Sequence, residues 1–346
     1  MKYTEISSDS ALIDKINEIQ PFLISAIVLG YRRTWLLKIS AALNERKIPV
    51  VFPYMSVPYR DVPYASIDYS RDELIRDFVF YFSGCGRKKI ALYGIKPDSI
   101  VDLIKIQEFH SACRDAGCES SMSDIYYLSG SFDDTADLLI NKISKYNAIL
   151  CASDITAIHL MNRFHKNNIN VPDDVFVSGM SNSIPGSMYK PSLTSSTMDF
   201  YDIGNVAVDA YYTLSREAGS TNMVIKYIQT GSIIIRESTN YIPLESGKYT
   251  SGNHSSSIIT PNVFDGFYND NSASTLLKVE TLLQQSDKTD IGIINGLLSG
   301  TKRDEIADLL FISQSTYKYR LRRMKTISSV SKTSDLIDLL QSVLHK

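Results

Sequence analysis

The chain has 346 residues, 44% hydrophobic and 21% charged, with 36 Lys+Arg against 38 Asp+Glu for a net charge of -2. That balance excludes a disordered or fibrous protein, and no apolar run approaches the roughly 18 residues a membrane-spanning helix needs. The length predicts two or three domains, and the opening MKYTEISSDSALIDKINEIQ has no basic head before an apolar core, which predicts a cytoplasmic protein without a signal peptide or membrane anchor.

Residues 1–245 alternate short β-rich apolar runs with longer amphipathic stretches, the pattern of βα units around parallel sheets. Strands are expected at 24–30, 48–52, 64–68, 89–95, 123–130, 148–153 and 174–180. Their continuous apolar character suits strands buried on both faces. Between them lie helix-length segments such as 98–116, where Ile100, Leu103, Ile104, Phe109 and Ala112 form an apolar stripe. Cys85, Cys113, Cys118 and Cys151 form no C-x-x-C pair, and the five histidines show no ligand spacing, so neither a metal nor any other cofactor is expected.

The texture changes at Tyr249–Ser274, where Ser, Asn or Gly fills 12 of 26 positions and Lys and Arg are absent. Residues 246–274 therefore read as a linker. Beyond it, residues 275–346 hold helical patterns at 275–285, 290–299, 302–310, 314–325 and 334–345, with no strand between them. From residue 276 onward the count is 11 Lys+Arg against 8 Asp+Glu, so a basic tail follows an acidic body.

Within that tail, Lys318, Arg320, Arg322, Arg323 and Lys325 occupy eight positions without an acid. Thr301 with Asp304 fits a capping box for one helix, and Ser313 can cap the next. At 100° per residue, Tyr317, Leu321 and Met324 share an inward face. Ser315, Lys318, Tyr319, Arg322 and Lys325 then point outward, with Arg323 nearby. Such a helix suits the major groove of double-stranded DNA, where cations reach phosphates and guanine edges. A solvated basic face is the plainer alternative for the charges alone.

The stretch LLSGTKRDEIADLLFISQSTYKYRLRRM resembles the LuxR-type helix-turn-helix at Gly300, Glu305, Ile306, Ala307, Ser313, Thr316 and Lys318. Tyr317 stands where that pattern has Val, and STYKYRLRRM also looks like the helix-turn-helix of PucR-type regulators. The resemblance implies that helix 314–325 reads DNA. It also implies that 334–345, with Leu336, Ile337, Leu340 and Leu344, helps to form a homodimer.

The body carries a second resemblance. PDDVFVSGMSNSIPGSMYKPSLTSSTMDFYDIG, at 172–204, and GSIIIRES, at 231–238, resemble the effector domain of lac repressor-type regulators, and ISAIVLG, IPVVF, IDYSRDEL, SGCGRKKIALYG and CASDITAIHLM fall in family order. The resemblance implies a two-lobed, periplasmic-binding-protein-like α/β domain with three crossovers. A sugar-like or nucleoside effector would sit in the cleft, near Lys105, Phe132, Asp154, Ser181, Asn182 and Phe200. Asp154 reads more simply as a helix cap. Ser181 and Asn182 replace the usual Asp-Asp, and Lys105 replaces a clamping Arg whose fork it cannot reproduce, so the family's usual sugar is not expected to fit. About forty residues of the family pattern have no counterpart ahead of ISAIVLG, which leaves the N-terminal lobe looking incomplete.

The expected fold is thus an α/β two-lobed body plus a small all-α helix-turn-helix domain. The expected function is DNA-binding transcription regulation rather than catalysis, since no nucleophile elbow or P-loop occurs and SGCGRKK has Lys89 where a dinucleotide fingerprint has its third glycine. The alternative is a solute-binding protein whose helical tail makes only protein contacts.

Overall fold

The computed structural model describes residues 14, 16–18, 25–30, 33–53, 63–197, 199–216, 223–239 and 270–344. Of the expected linker at 246–274, residues 246–269 lie outside the described residues.

The first lobe opens with β1 (Ala26–Ile27), α1 (Arg33–Glu45), β2 (Val50–Pro53) and β3 (Tyr64–Tyr69). Helix α2 (Arg71–Gly84) leads into the second lobe, built from β4 (Ile90–Ile95), α3 (Ile100–Asp115), β5 (Ile125–Tyr127), α4 (Phe132–Ile140), β6 (Ala148–Cys151), α5 (Asp154–Lys166), β7 (Phe176–Ser178) and α6 (Ile184–Met188). The chain then passes through β8 (Ser195–Ser196), returns along α7 (Phe200–Arg216) and β9 (Val224–Gln229), and crosses once more through β10 (Ile233–Ile234). Both sheets are parallel, in the orders β1-β2-β3-β9 and β5-β4-β6-β7, while β8 and β10 pair antiparallel between the lobes.

Alternation along the second sheet decides its two layers. Ile90, Leu92, Ala148, Leu150 and Phe176 join the core with α2 and α3, whereas Ala91, Tyr93, Ile149, Cys151 and Val177 join the core with α4 and α5. The strand-to-helix turns on this sheet are set by serine caps. Ser99 accepts the Asp102 amide, Ser131 that of Asp134 and Ser153 that of Thr156, each filling a donor that the helix leaves unpaired.

The crossovers are laced together. Thr197 N donates to Ser232 O at 2.8 Å, Ser232 N to Thr197 Oγ1 at 2.9 Å and Ser70 N to Gln229 O at 2.9 Å, and the Tyr69 hydroxyl donates to Thr197 O. Gly231 is required here, since a Cβ would stand 2.7 Å from Tyr69 Cε1.

All seven expected strands are present; five are shortened, while β2 ends one residue later than expected, at Pro53, and β3 runs one residue further, to Tyr69. Strands β8, β9 and β10 were not anticipated as strands. β9 (VIKYIQ) escapes a hydrophobic-period reading because it lies at the sheet edge, with its residues exposed or half-buried and Lys226 in the middle.

The tail holds α8 (Asn271–Gln284), α9 (Lys288–Leu298), α10 (Arg303–Leu309), α11 (Gln314–Ile327) and α12 (Thr333–Leu344). Helix α8 begins inside the segment expected as linker, because Asp270 caps it by accepting Ser272 N at 2.8 Å and Ala273 N at 3.3 Å. Ser313 caps α11 as expected, accepting Thr316 N at 3.1 Å. The expected Thr301 cap is corrected. Thr301 N instead donates to Gly296 O at 2.9 Å, closing the end of α9 around the left-handed Gly300 (φ 68°), and Lys302 becomes the cap residue of α10 without a side-chain bond.

The tail packs into the body. Leu276, Val279 and Leu283 of α8 and Leu336, Leu340, Val343 and Leu344 of α12 share one core with Ile158, Leu160, Tyr189 and Leu193 of the second lobe. Asn162 Nδ2 donates to Ser342 O at 3.0 Å, and the Tyr189 hydroxyl to Asn162 Oδ1 at 2.7 Å. The stripe read as a dimerising surface is therefore used within the chain, since Leu336, Leu340 and Leu344 are at most 1% exposed and only Ile337 is partly open. Each buried leucine contributes roughly 1.5–3 kcal/mol relative to exposure, so this is a firm seam. A protease site inserted between residues 246 and 269 should accordingly yield two fragments that co-elute in size-exclusion chromatography after cleavage; separate elution would contradict the shared core.

Candidate functional site

On α11, Tyr317 and Met324 are each 2% exposed and hold the helix down, with Leu321 packed beside them. Ser315, Lys318, Tyr319 and Arg322 face solvent, Tyr319 at 68%. Their side chains form no ion pair among the described residues.

Three of the clustered cations are otherwise engaged. Arg320 donates to Asp287 at 2.8 and 2.9 Å and to Asp290 at 2.8 Å, and Arg323 donates to Asp290 at 3.1 Å and to Gln285 O at 2.7 Å. Lys325 donates to Ser331 O at 3.2 Å. Asp290 is 1% exposed at the head of α9, so two arginines tie the start of that helix to α11. The Asp290 amide and the Arg320 guanidinium hold the Asp287 carboxyl below its ordinary range. The sequence shows no acid near these arginines because their partners stand some thirty residues earlier in the chain. Arg323, expected to contact DNA, is here a packing cation that keeps part of its surface open.

In the body, Lys105, Phe132, Asp154, Ser181 and Asn182 lie near the carboxyl ends of the second-lobe strands, where ligands of parallel sheets bind. Asp154 is 1% exposed and fully engaged. Its Oδ1 accepts Ser181 N at 3.0 Å and Ser195 Oγ at 2.6 Å; its Oδ2 accepts Ser183 N at 2.7 Å and Ser183 Oγ at 2.8 Å. Those four donors fill the acceptor sites of a carboxylate. The helix cap is Ser153, so the capping alternative for Asp154 is corrected: it pins the turn after β7. Gly179 is a consequence, since a Cβ there would approach Asp154 Cα to 2.9 Å.

Asn182 stands in the left-handed region (φ 46°), with its Oδ1 accepting from Arg236 at 2.6 Å. Lys105 is buried and donates to Asp102 at 2.8 Å and to Ala152 O at 2.7 Å. Burial alone would raise the Asp102 carboxyl, but Lys105 and Lys96 hold it below its ordinary value. Phe132 is 1% exposed, packed with Leu128 and with Ala273 of the tail. Phe200 opens α7, its side chain lying outside what is described. Lys105, Phe132, Asp154, Ser181 and Asn182 thus share one end of the second lobe, yet their polar atoms largely bond to the protein itself. Two surface clefts, of about 580 and 360 Å³, lie at the opposite, amino ends of the strands, lined by residues such as His110, Arg114, Lys89 and Lys145.

At the seam with the tail, the His159 ring meets Phe132 edge-on at 5.3 Å and its Nε2 lies 3.2 Å from Asp133 Oδ1, while its buried Nδ1 has no partner among the described residues. Burial lowers its pKa, with Arg163 assisting and Asp133 and Asp270 opposing. A base lowered on folding leaves stability intact above the unfolded value near about 6.5, and stability is lost as pH falls through the folded value. The wild-type Tm should therefore drop between pH 7.5 and 5.5 by more than that of His159→Gln; equal drops would remove the histidine from the seam.

The two parallel sheets, joined by three laced crossovers, find a counterpart among known domains. Residues 79–239 match the periplasmic binding protein-like domain. The match to this domain ends before the helical tail begins. Curated relatives include the HTH-type transcriptional regulator RegA of Clostridium saccharobutylicum, 28% identical over 44% of this chain and 47% of the relative. The HTH-type transcriptional repressor PurR of Vibrio parahaemolyticus is 35% identical over 26% of this chain and 29% of the relative, and catabolite control protein A of Priestia megaterium 27% over 36% and 38%. The chain spans less than half the length of each of these relatives. Among solved structures, a CelR–cellobiose complex shares 19% identity over 67% of this chain and 71% of that one, with a TM-score of 0.58. A lac repressor dimer bound to operator and an anti-inducer shares 20% over 69% and 82%, with a TM-score of 0.57. These likenesses establish the two-lobed α/β fold.

Proposed function

We propose that the chain is a cytoplasmic, DNA-binding transcription regulator. Its periplasmic-binding-protein-like body (1–245) is a sensor for a sugar-like or nucleoside effector, connected through 246–274 to a LuxR-type helix-turn-helix (275–346) that binds duplex DNA as a homodimer. The observation that carries this reading is the outward face of α11, where Ser315, Lys318, Tyr319 and Arg322 face solvent on a helix held down by Tyr317 and Met324. Cations on a packed helix neutralise phosphates, while the hydroxyls and Arg322 can reach base edges. The regulator relatives support it, as does the body's likeness to repressor structures. Selection of bound fragments from random genomic DNA tests it: enrichment of a two-fold symmetric site is expected, and recovery without any preferred sequence would defeat it.

The reading of a solute-binding protein with a protein-binding tail draws on a different observation, the firm docking of α8 and α12 on the second lobe. It predicts ligand affinity with no retention of duplex DNA at low salt.

A further inference from the structure

The two lobes also touch across the cleft, on the side away from the crossovers that leave the first sheet. Strand order fixes the two margins. Those crossovers depart from β3 and β9, whereas β1 is the opposite edge strand, two places from β3 and so about 10 Å away. Helix α1 follows the carboxyl end of β1, and the loop 96–99 follows the carboxyl end of β4 in the second lobe. Both therefore border the cleft.

There Asp98 of the second lobe meets the leading turn of α1. Its carbonyl accepts the Arg33 amide at 2.9 Å, and its Oδ2 accepts the Thr34 hydroxyl at 3.3 Å. The first amide of a helix has no partner within that helix, so a carbonyl from the other lobe fills it, and a carboxylate suits the positive end of the helix dipole. Asp98 is only 8% exposed although it lies in a loop. A carboxylate so covered needs donors, and here the facing lobe supplies them. The second-lobe side of the contact is stiff. Asp102 accepts the Lys96 amide at 3.1 Å, Ser99 Oγ accepts the Asp102 amide at 3.2 Å, and Lys105 ties Asp102, at 2.8 Å, to Ala152 O, at 2.7 Å. Lys105, expected to clamp an effector, instead braces the loop that carries Asp98.

We infer that Asp98 is a latch: its carbonyl and carboxylate, seated on the first turn of α1, hold the two lobes together across the cleft, and their release lets the lobes part about the crossovers. The latch needs only the two-lobed fold. Any effector that enters between the lobes works against it, a consequence that rests on the proposed sensor role.

Double electron–electron resonance on the full-length chain, with neither ligand nor DNA added, tests the latch separately from the regulator reading. Spin labels at Leu37→Cys on α1 and Leu138→Cys on α4, both exposed, report the lobe separation in a Cys85→Ser background, the other three cysteines being buried. This parent should give one dominant short distance. Asp98→Ala keeps the carbonyl but removes the carboxylate, and should shift the ratio of parted to closed lobes about tenfold toward a longer distance. Asp98→Lys sets a cation against the positive end of α1 and should make the longer distance dominant. Asp98→Asn retains an oxygen for the Thr34 hydroxyl and should stay closed. Thr34→Val, at an exposed position, removes only the donor and should shift the ratio about threefold, which keeps the test valid if an Asp98 variant fails to fold. A short distance that stays dominant in a folded Asp98→Lys chain, or a ratio unmoved by Thr34→Val, would overturn the latch, as would a parent already spread over long distances.

Discussion

Replacing Lys318 and Arg322 together by alanine should abolish most duplex binding while leaving the Tm of the protein unchanged. Both side chains are exposed and make no ion pair among the described residues, so their removal leaves nothing buried uncompensated. If each reaches one phosphate, a dimer loses four contacts. The slope of log K against log[salt] should then flatten by about 3.6, and affinity near 0.1 M salt should fall by roughly three orders of magnitude. Arg320→Ala with Arg323→Ala is the complementary variant: it removes the same formal charge from the same helix, but from residues bound to Asp287 and Asp290. It should cost stability and change the slope less. A fluorescence anisotropy series across salt separates the two pairs, and an unaltered slope in the first would remove α11 as the DNA contact.

The largest effect on stability is expected at Asp290. Its carboxylate is 1% exposed and accepts from Arg320 at 2.8 Å, Arg323 at 3.1 Å and the Asp287 amide at 3.2 Å. Breaking a buried pair by deleting one partner costs roughly 3–5 kcal/mol. Arg320 keeps Asp287 at 2.8 Å and Arg323 keeps Gln285 O at 2.7 Å, and both arginines are partly open to water, so Asp290→Ala belongs at the lower end, about 3 kcal/mol. Asp287→Ala removes the α9 cap and one partner of Arg320, but its side chain is largely exposed and it should cost less than Asp290→Ala. Urea unfolding distinguishes them. A loss below about 1 kcal/mol at Asp290 would reduce the clasp to an ordinary surface pair.

The five tail helices were legible from their apolar spacing, and at Ser313 cap, spacing and outward cations all agree, although the cap read at Thr301 was misplaced. The buried strands were legible for the same reason. What escaped depends on partners distant in the chain. β9 becomes a strand by pairing with β3, 160 residues earlier, with Tyr64 opposite Val224. Leu336, Leu340 and Leu344 read as an open seam because an apolar stripe does not say which surface covers it, and here Ile158 and Tyr189 belong to the covering core. Lys105, Phe132, Asp154, Ser181 and Asn182 gather at one end of the second lobe, but their bonding was not foreseeable. Whether Asp154 has a free lone pair depends on Ser181, Ser183 and Ser195 arriving from later turns.

The shared core of α8, α12 and the second lobe has a consequence for how the protein is made. Strands β4 to β7 leave the ribosome well before residues 271–344, so one outer layer of their lobe stays uncovered until those residues have emerged. During that interval Ile158, Tyr189 and Leu193 lack their final neighbours, and a nascent chain stalled before Asn271 presents a sticky surface to chaperones and to other nascent copies. Shortened versions ending near residue 245 should therefore collect in inclusion bodies, while the full chain accumulates in the supernatant.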